Sequence, residues 1–317
     1  YIINTIKNIN QYLKFGQIII LESSTYPGST KEIIFNLLKN KFEIGRNYFI
    51  GYSPEREDPN NKKYNITNIP KLCSGLSNNC RIIISKLYSM IVKKVILMSN
   101  IEVTEFTKVF ENTYRSINIA LVNEMKLIAK KNGLNINEII DAAATKPFGF
   151  QAFKPGPGVG GHCIPVDPYY LSWIAKKNNI KSNFINLAGK INDMMPHWII
   201  KESLKKRKIK KALLIGVTYK KNVDDIRESP SFDFINILRK KKIKVDYYDP
   251  YVKILKTRRL KKSLKCININ KISDYDIIYI VTDHDCIDFK YIKKNAKLIV
   301  DTRNVYKTEI RDKIIKL

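Results

Sequence analysis

The sequence contains few residues of the kinds that build metal sites or disulfide frameworks. Its 317 residues include only three histidines and five cysteines, an odd number. No two cysteines have the Cys-x-x-Cys spacing that structural zinc sites and redox motifs use. The sequence therefore predicts neither a metal site nor a disulfide scaffold, and a reducing compartment suits it best.

Long apolar runs are also missing. No segment approaches the roughly 18 consecutive apolar residues that a membrane-spanning helix needs. No charged leader precedes an apolar stretch at the start of the sequence. We therefore expect a cytoplasmic protein without a membrane partner.

Acidic residues are scarce relative to basic ones. The sequence has 29 Asp and Glu against 57 Lys and Arg, which gives a formal net charge of +28. Such an excess raises the expectation of an anionic partner. Because lysine is scattered through every segment without a nucleic-acid recognition motif, we interpret the charge as a solvated surface that attracts anionic ligands. We expect no nucleic-acid partner.

Alternating strand and helix patterns predict an α/β protein with two doubly wound, Rossmann-like domains. In the first hundred residues, short apolar strands at 17–21, 48–52 and 95–98 alternate with helical stretches at 31–39 and 79–92. This order is typical of the back half of such a domain. The first domain is therefore expected to be incomplete.

A long helix is predicted between Glu102 and Gly133, because apolar residues recur there at helical spacing and glycine ends the pattern. We expect it to join the two α/β domains. A second set of strands is predicted at 212–217, 245–248, 277–281 and 298–301. The predicted regions are a cofactor domain at 1–101, a central helical region at 102–207 and a second α/β domain at 208–317.

A glycine-rich segment has the spacing of a dinucleotide fingerprint. Gly156, Gly158 and Gly161 satisfy Gly-x-Gly-x-x-Gly, but no strand pattern precedes them and no helix pattern follows directly. Because that fingerprint requires strand, turn and helix in succession, we interpret the segment differently. The glycines are predicted to let the backbone approach a ligand closely and to place Cys163 at the end of a tight turn.

Cys163 is the candidate nucleophile. It lies four residues ahead of Asp167, which with Pro168 is predicted to open a helix. Unpaired amides and the dipole at a helix N-terminus lower a thiol pKa. Asp167 is by residue type more simply an N-cap, although its spacing from Cys163 makes a second role possible. The other four cysteines are interpreted as small apolar residues of the core.

Lys108 and Asn112 are separated by four residues on the long predicted helix and therefore project from one face. Read alone, each is an ordinary solvated polar residue. Together they provide a cation and an amide donor that can stabilise a developing oxyanion.

Five segments taken in order resemble the UDP-glucose/UDP-mannuronate dehydrogenase family, and they cover essentially the whole chain. The longest of them is most similar to the branch that oxidises UDP-N-acetylglucosamine. The segments are ESSTYPGST (22–30), GYSPERED (51–58), KVFENTYRSINIALVNE (108–124), KPFGFQAFKPGPGVGGHCIPVDPYYLSW (146–173) and GVTYKKNVDDIRESPS (216–231).

The resemblance implies a reaction in which C6 of the sugar is oxidised from alcohol to acid in two hydride transfers to NAD. A thiolate that adds to the intermediate aldehyde regenerates an alkoxide, which expels the second hydride and leaves a thioester. The resemblance assigns Cys163 as that thiolate. Lys108 and Asn112 would stabilise the alkoxide, and Asp167 with a water would help to remove the hydroxyl proton.

Further roles follow from the resemblance alone. Glu55 matches a carboxylate that supports thioester hydrolysis, and Ser24 occupies a position usually held by threonine beside the cofactor and water. Arg227 resembles an arginine near the cofactor. Lys220 resembles a lysine that reaches the substrate, and Lys146 one that reaches the site of a neighbouring subunit, which implies a homodimer.

The diphosphate of a UDP-sugar substrate is expected on the loop that begins at Phe148. This loop is rich in backbone donors through Gly158 and Gly160, with Lys154 nearby. Read alone, the lysine is an ordinary surface charge.

The family opens with a strand and a Gly-x-Gly-x-x-Gly turn for NAD, and this sequence has neither. It is therefore expected to be either a fragment of an intact enzyme or the product of a truncated gene. Alternative functions are a UDP-glucose 6-dehydrogenase and an inactive remnant that only binds UDP-sugar or dimerises.

Overall fold

The computed structural model of the protein describes residues 1–39, 43–58, 63–205, 207–307 and 313–317. The chain divides into two units, each built from two separate segments. Unit 1 comprises Tyr1–Tyr114 and Val166–Asn183, and unit 2 comprises Arg115–Pro165 and Phe184–Leu317.

The helices of the described residues agree closely with the predicted pattern. The α-helices are α1 Ile2–Asn10, α2 Asn36–Leu38, α3 Asn78–Ser89, α4 Ile101–Lys131, α5 Ile136–Ala143, α6 Pro168–Lys177, α7 Asn183–Ser203, α8 Ser231–Lys240 and α9 Phe289–Asn295. A π-helix covers Thr30–Phe35, and a 3₁₀-helix covers Ile269–Asp274. Gly133 follows α4 with a φ of +70°, a conformation that suits glycine after a helix end.

The strands of the described residues form two larger sheets and a short hairpin-like pair. They are β1 Ile18–Leu21, β2 Phe49–Tyr52, β3 Lys71–Gly75, β4 Val95–Leu97, β5 Lys211–Ile215, β6 Lys244–Tyr248, β7 Ile254–Leu255, β8 Leu264–Lys265, β9 Ile277–Ile280, β10 Ile299–Asp301 and β11 Ile314–Lys316.

The sheet of unit 1 has the order β1-β2-β3-β4 and is mixed rather than parallel throughout. Strand β3 runs antiparallel to β2 and parallel to β4, and all five of its residues are buried. The sequence analysis missed β3, because the segment begins with Lys71 and ends in Ser-Gly instead of forming an apolar run. A charged residue is tolerated at its start because two carboxylates pair with it.

The sheet of unit 2 is entirely parallel, with the order β11-β10-β9-β5-β6. Its central strands are continuous apolar runs, as in Leu213–Leu214–Ile215 and Ile277–Ile278, because layers of side chains cover both faces. Each α/β unit buries its own apolar clusters, and α4 joins them in the sequence. The predicted α/β class with two Rossmann-like sheets and a long central helix is confirmed.

Within the described residues, no helix is both long enough and apolar enough to cross a lipid bilayer. The predicted regions at 1–101, 102–207 and 208–317 are divided by their expected roles, whereas the two units are divided by their internal contacts. The three-region division therefore stays a prediction beside the two units.

Candidate active site

The candidate residues are distributed over both units, and each half is described by itself. Unit 1 contains Ser24, Glu55, Lys108, Asn112 and Asp167, and unit 2 contains Lys146, Phe148, Lys154, Gly158, Gly160, Cys163, Lys220 and Arg227.

Asp167 is held by a long-range partner instead of capping its helix. Its backbone is already helical, with φ −59° and ψ −37°, and its side chain makes no capping hydrogen bond to α6. The Nδ2 group of Asn112 donates to Oδ2 of Asp167 at 2.7 Å. Both side chains are buried, at 5% exposure for Asn112 and 1% for Asp167. Asp167 therefore occupies the predicted N-cap position without capping the helix through its side chain, and its carboxylate is oriented by an amide from another helix.

Lys108 lies one helical turn before Asn112 on α4 and is half-buried. The spacing of four residues places the ammonium-bearing side chain and the Asn112 amide on one face of the helix. Unit 1 thus contains a cation, an amide and a buried carboxylate along one stretch of α4 and the start of α6. A carboxylate can accept a proton, and a cation with an amide can stabilise an oxyanion, but these roles stay predictions for the three residues.

A second cluster of unit 1 surrounds Lys71, which sequence reasoning missed. Its buried Nζ lies 3.1 Å from Oε1 of Glu22 and 3.1 Å from Oε2 of Glu55. Tyr88 donates to Oε1 of Glu22 at 2.5 Å. Burial raises the pKa of Glu55, but hydrogen bonds from the Glu57 amide and from Lys71 outweigh it, so the pKa lies below its usual value. Glu55 is therefore a carboxylate at neutral pH.

The turn after β1 is fixed by Glu105 of α4, whose side chain is fully buried. Its carboxylate accepts hydrogen bonds from the Gly28 amide, from the Ser29 hydroxyl at 2.9 Å, and from the Thr30 amide and hydroxyl at 2.9 and 2.7 Å. Ser24 lies in the same segment and is half-buried. Open α/β sheets bind ligands at the carboxyl ends of their strands, and this turn lies at the carboxyl end of β1; the role of Ser24 beside the cofactor stays a prediction.

The loop that carries Cys163 belongs to unit 2 and approaches another loop of the same unit closely. A Cβ added at Gly160 would lie 2.7 Å from Cβ of Tyr219, and one added at Gly161 would lie 2.9 Å from Cε2 of that ring. The amide of Gly161 donates to the carbonyl of Arg227 at 2.9 Å. The backbone at these glycines thus approaches other parts of the protein closely, as the contacts with Tyr219 and Arg227 show. Its predicted approach to a ligand stays a prediction.

We expect Gly161→Ala to lower the free energy of unfolding by about 1–3 kcal/mol more than Gly149→Ala does. Both glycines have positive φ, +91° and +70°, so backbone strain is common to both variants. Only the added methyl at Gly161 meets the Tyr219 ring, whereas nothing lies within 4 Å of one at Gly149. Urea denaturation of the two variants measures the difference, and equal losses would contradict the packing argument.

A chain of buried amides fixes the other end of the glycine segment. The Gly156 amide donates to Oδ1 of Asn123 at 2.9 Å, and Nδ2 of Asn123 donates to Oδ1 of Asn192 at 3.0 Å. Nδ2 of Asn192 then donates to the carbonyl of Ser116 at 3.2 Å. These contacts join the glycine loop to α4 and α7 within unit 2. A sequence read alone gives no signal for such pairs.

The turn that carries Lys220 is held at the carboxyl end of the second sheet. Thr218 Oγ1 donates to the Lys220 carbonyl at 2.8 Å, and the Asn222 amide donates to Nδ1 of His284 at 2.9 Å. Because Nδ1 accepts, the ring proton lies on Nε2, which is 3.1 Å from Oδ2 of Asp249. Burial raises the pKa of Asp249, but hydrogen bonds from His284 and backbone amides outweigh it and lower the pKa overall. His284 and Asp249 thus position this turn.

The remaining candidate cations are exposed and already contact other side chains. Arg227 binds both carboxylate oxygens of Asp225, with Nη2 at 2.6 Å from Oδ2, and this hydrogen bonding raises the pKa of Arg227. Lys154 is paired with Asp141. The Nζ of Lys146 lies 4.9 Å from the centroid of the exposed Phe148 ring. Their roles toward a ligand stay predictions.

Cys163 is half-buried, which distinguishes it from the two fully buried cysteines, Cys73 and Cys80. It also lies close enough to Arg227 for attraction between thiolate and guanidinium to contribute to the raised pKa of that arginine, after Asp225. Cys286 is exposed, so the interpretation of it as an apolar residue of the core is wrong.

Comparison with protein families gives matches along almost the entire chain. The UDP-glucose/GDP-mannose dehydrogenase family matches through its NAD binding domain at residues 1–92, its central domain at 102–194 and its UDP binding domain at 213–308.

Individual proteins are similar over nearly all of the chain. UDP-N-acetyl-D-mannosamine dehydrogenase of Methanocaldococcus jannaschii is 34% identical over 99% of this chain and 72% of its own length. UDP-N-acetyl-D-glucosamine 6-dehydrogenase of Salmonella typhi is 33% identical over 98% of this chain and 76% of its own. The structure of UDP-D-ManNAc dehydrogenase from Pyrococcus horikoshii superposes with a TM-score of 0.87 at 31% identity, covering 99% of this chain and 75% of that one.

Proposed function

Because this chain belongs to the UDP-glucose/GDP-mannose dehydrogenase family, we propose that it oxidises C6 of a UDP-N-acetylhexosamine to the corresponding UDP-uronic acid. The chain is an NAD-dependent UDP-sugar dehydrogenase, as its resemblance to the family implied. UDP-N-acetylglucosamine is the first candidate substrate and UDP-N-acetylmannosamine the second, since relatives of both names are similar to it. The acidic product suits the synthesis of surface polysaccharide.

The observation that carries the proposal is the buried Asn112–Asp167 hydrogen bond. The bond orients one oxygen of the Asp167 carboxylate, and a carboxylate has a second oxygen that can accept a proton. We assign Asp167, through a water, to take the C6 hydroxyl proton, and Lys108 and Asn112 to stabilise the alkoxide. NAD, when bound, accepts the hydride from C6, and the turn of Ser24 held by Glu105 fits a cofactor at the carboxyl end of β1.

Cys163 is assigned to the second half of the reaction. Its thiolate adds to the C6 aldehyde and forms a carbon–sulfur bond, which converts the carbonyl oxygen into an alkoxide. Lys108 and Asn112 would stabilise that alkoxide as well, and a second NAD, when bound, would supply the acceptor for the second hydride. Water then attacks the thioester, the carbon–sulfur bond breaks, and the thiolate returns with release of the acid.

Glu55 is assigned to thioester hydrolysis, where an ionised carboxylate can orient or deprotonate the attacking water. The ion pair with Lys71 supports this role because it lowers the pKa of Glu55 and keeps the group charged. Arg227 joins Ser24 in contacting the cofactor.

The UDP half of the substrate is assigned to unit 2 and its UDP binding domain. Backbone amides of the loop from Phe148 through Gly158 and Gly160 would bind the diphosphate together with Lys154. Lys220 would reach the substrate from the turn that His284 positions. Lys146 would act in the site of a second subunit.

A homodimer is the proposed assembly. Helix α4 exposes large apolar side chains that a single chain leaves in water, among them Phe106, Phe110, Leu121 and Ile128 at 47%, 56%, 50% and 53% exposure. Sedimentation equilibrium should give twice the mass of one chain, and a single-chain mass at micromolar concentration would refute it. We retain residues 102–207 as the proposed region of dimerisation and catalysis.

Mixing the protein with NAD and each UDP-sugar tests the activity. NADH absorbance should rise with UDP-N-acetylglucosamine or its manno epimer and reach two NADH per sugar, with UDP-glucose much slower. Equal rates with UDP-glucose would favour the UDP-glucose 6-dehydrogenase alternative. Calorimetric binding of UDP-sugar without any NADH would favour the inactive remnant.

A further inference from the structure

Unit 2 contains a cavity of about 210 Å³ that the proposed reaction does not use. It is lined by the C-terminal turns of α4, the start of α5, the segment after β10 and the end of the chain. Its polar lining includes Lys126, Lys130, Asn137, Thr302, Lys307 and Lys316. At about 30 Å³ per water molecule, this volume corresponds to roughly seven waters and admits a compact ligand.

Lys126 is the unusual member of this lining. Its side chain is only 7% exposed, and its ammonium makes no hydrogen bond or ion pair with any of the residues that the structure describes. A buried cation without a partner is costly, because the protein does not replace the water it has lost. Burial, together with the neighbouring Arg303 and Lys130, lowers the pKa of Lys126 to about 7.

The acidic side chain of the lining does not pair with Lys126. Both carboxylate oxygens of Asp301 accept backbone hydrogen bonds: Oδ1 from Arg303 and Val305 at 3.1 Å each, and Oδ2 from Tyr306 at 2.9 Å. Asp301 therefore attracts Lys126 without hydrogen bonding to it. The side chains of the lining comprise four lysines and the one carboxylate of Asp301, so together they are positively charged.

The N-terminus of α5 adds to this field. Asn135, Ile136 and Asn137 all line the cavity, and Asn135 is the N-cap whose side chain accepts from the Asn137 amide at 3.1 Å. The first turn of a helix carries a partial positive charge and unpaired amides. The backbone at the start of α5 and the lysine side chains thus both favour an anionic ligand.

We propose that this cavity binds a compact anion with two or three negative charges, held by the Lys126 ammonium and the N-terminus of α5. Phosphate groups and small polycarboxylates share this chemistry and fit the volume. The indole of Trp198 forms part of the wall and suits a ligand that also has a small apolar portion. The inference rests on unit 2 alone and does not depend on which UDP-sugar is oxidised.

Calorimetric titration at constant ionic strength tests the proposal, with sulfate, inorganic phosphate and citrate as separate probes against a chloride background. Sulfate keeps its charge between pH 6.5 and 8.5, so a change in its affinity reports on the protein. We expect sulfate to bind about tenfold more weakly at pH 8.5 than at pH 6.5, because Lys126 loses its proton above a pKa of about 7. The ranking of phosphate and citrate distinguishes a phosphate site from a carboxylate site.

Lys126→Met should abolish this binding, while Lys271→Met, which removes an exposed lysine elsewhere in unit 2, should leave it unchanged. Lys307→Gln, at an exposed position of the lining, should weaken it several-fold without endangering the fold. The titration is repeated on a chain with four residues added after Leu317, because that residue also lines the cavity. Unchanged binding in Lys126→Met, or equal losses in Lys271→Met, would overturn the proposal.

Discussion

Cys163→Ser should reduce turnover to UDP-uronic acid by at least about 10³-fold, because a serine hydroxyl is not ionised at neutral pH and adds poorly to an aldehyde. The first oxidation does not need the thiolate. We therefore expect a single turnover to release at most one NADH per sugar, where the unsubstituted protein releases two. Stopped-flow absorbance with excess NAD measures this stoichiometry directly.

Cys286→Ser is the matched control for this experiment. Cys286 is exposed and lies in the same unit, so its substitution removes a thiol without disturbing a core. Its rate should stay within about twofold of the unsubstituted value. Cys73→Ser should also leave the rate nearly unchanged, although it replaces a buried thiol beside Ser53. Equal losses in the Cys163 and Cys286 variants would remove the assigned role of Cys163.

Glu105→Ala should lower the free energy of unfolding by about 3–5 kcal/mol, the usual cost of removing one partner from a buried charged network. The substitution leaves the Gly28 and Thr30 amides and two hydroxyls without their acceptor. Because these donors fix the turn after β1, we also expect KM for NAD to rise more than kcat falls. Urea denaturation and initial-rate kinetics measure the two effects.

Glu102→Ala serves as the comparison, since it removes the same side chain from the first turn of the same helix without breaking a buried network. Glu102→Ala should lower the free energy of unfolding by less than about 1 kcal/mol, the size of a helix-dipole interaction. Glu105→Gln keeps one carbonyl acceptor, so its loss in the free energy of unfolding should lie between those of Glu105→Ala and Glu102→Ala. A Glu105→Ala protein as stable as Glu102→Ala would contradict the assigned function of this carboxylate.

Most of the fold could be predicted because local patterns encode it. Central parallel strands are apolar runs, as in Ile277–Ile280, and α4 shows helical spacing up to the glycine that ends it. Strand β3 was missed because its burial depends on partners distant in sequence. Lys71 can begin a buried strand only once Glu22 and Glu55 neutralise it, and no local pattern reports that.

In the candidate site, too, local patterns identify residues but do not reveal contacts between residues distant in sequence. The sequence identified Asp167 and Asn112 separately, but their hydrogen bond, which orients the Asp167 carboxylate, joins residues 55 positions apart. His284 and Asn123 gave no signal at all, since each acts through hydrogen bonds to partners distant in sequence. Residue type and spacing thus identified the candidate groups, and tertiary contacts determine how each of them is oriented.

Unit 1 is discontinuous in sequence. Residues 115–165 belong to unit 2, and α6, which follows them, belongs to unit 1. During synthesis, the strands of unit 1 emerge from the ribosome long before the helix that completes it. At 5–20 residues per second, the roughly 70 residues between Tyr114 and Asn183 take about 3–14 s to translate. For most of that interval, until the 55 residues up to Asp167 are made, Asn112 lacks its carboxylate partner, and a chaperone that shields nascent apolar surface would have its greatest effect then.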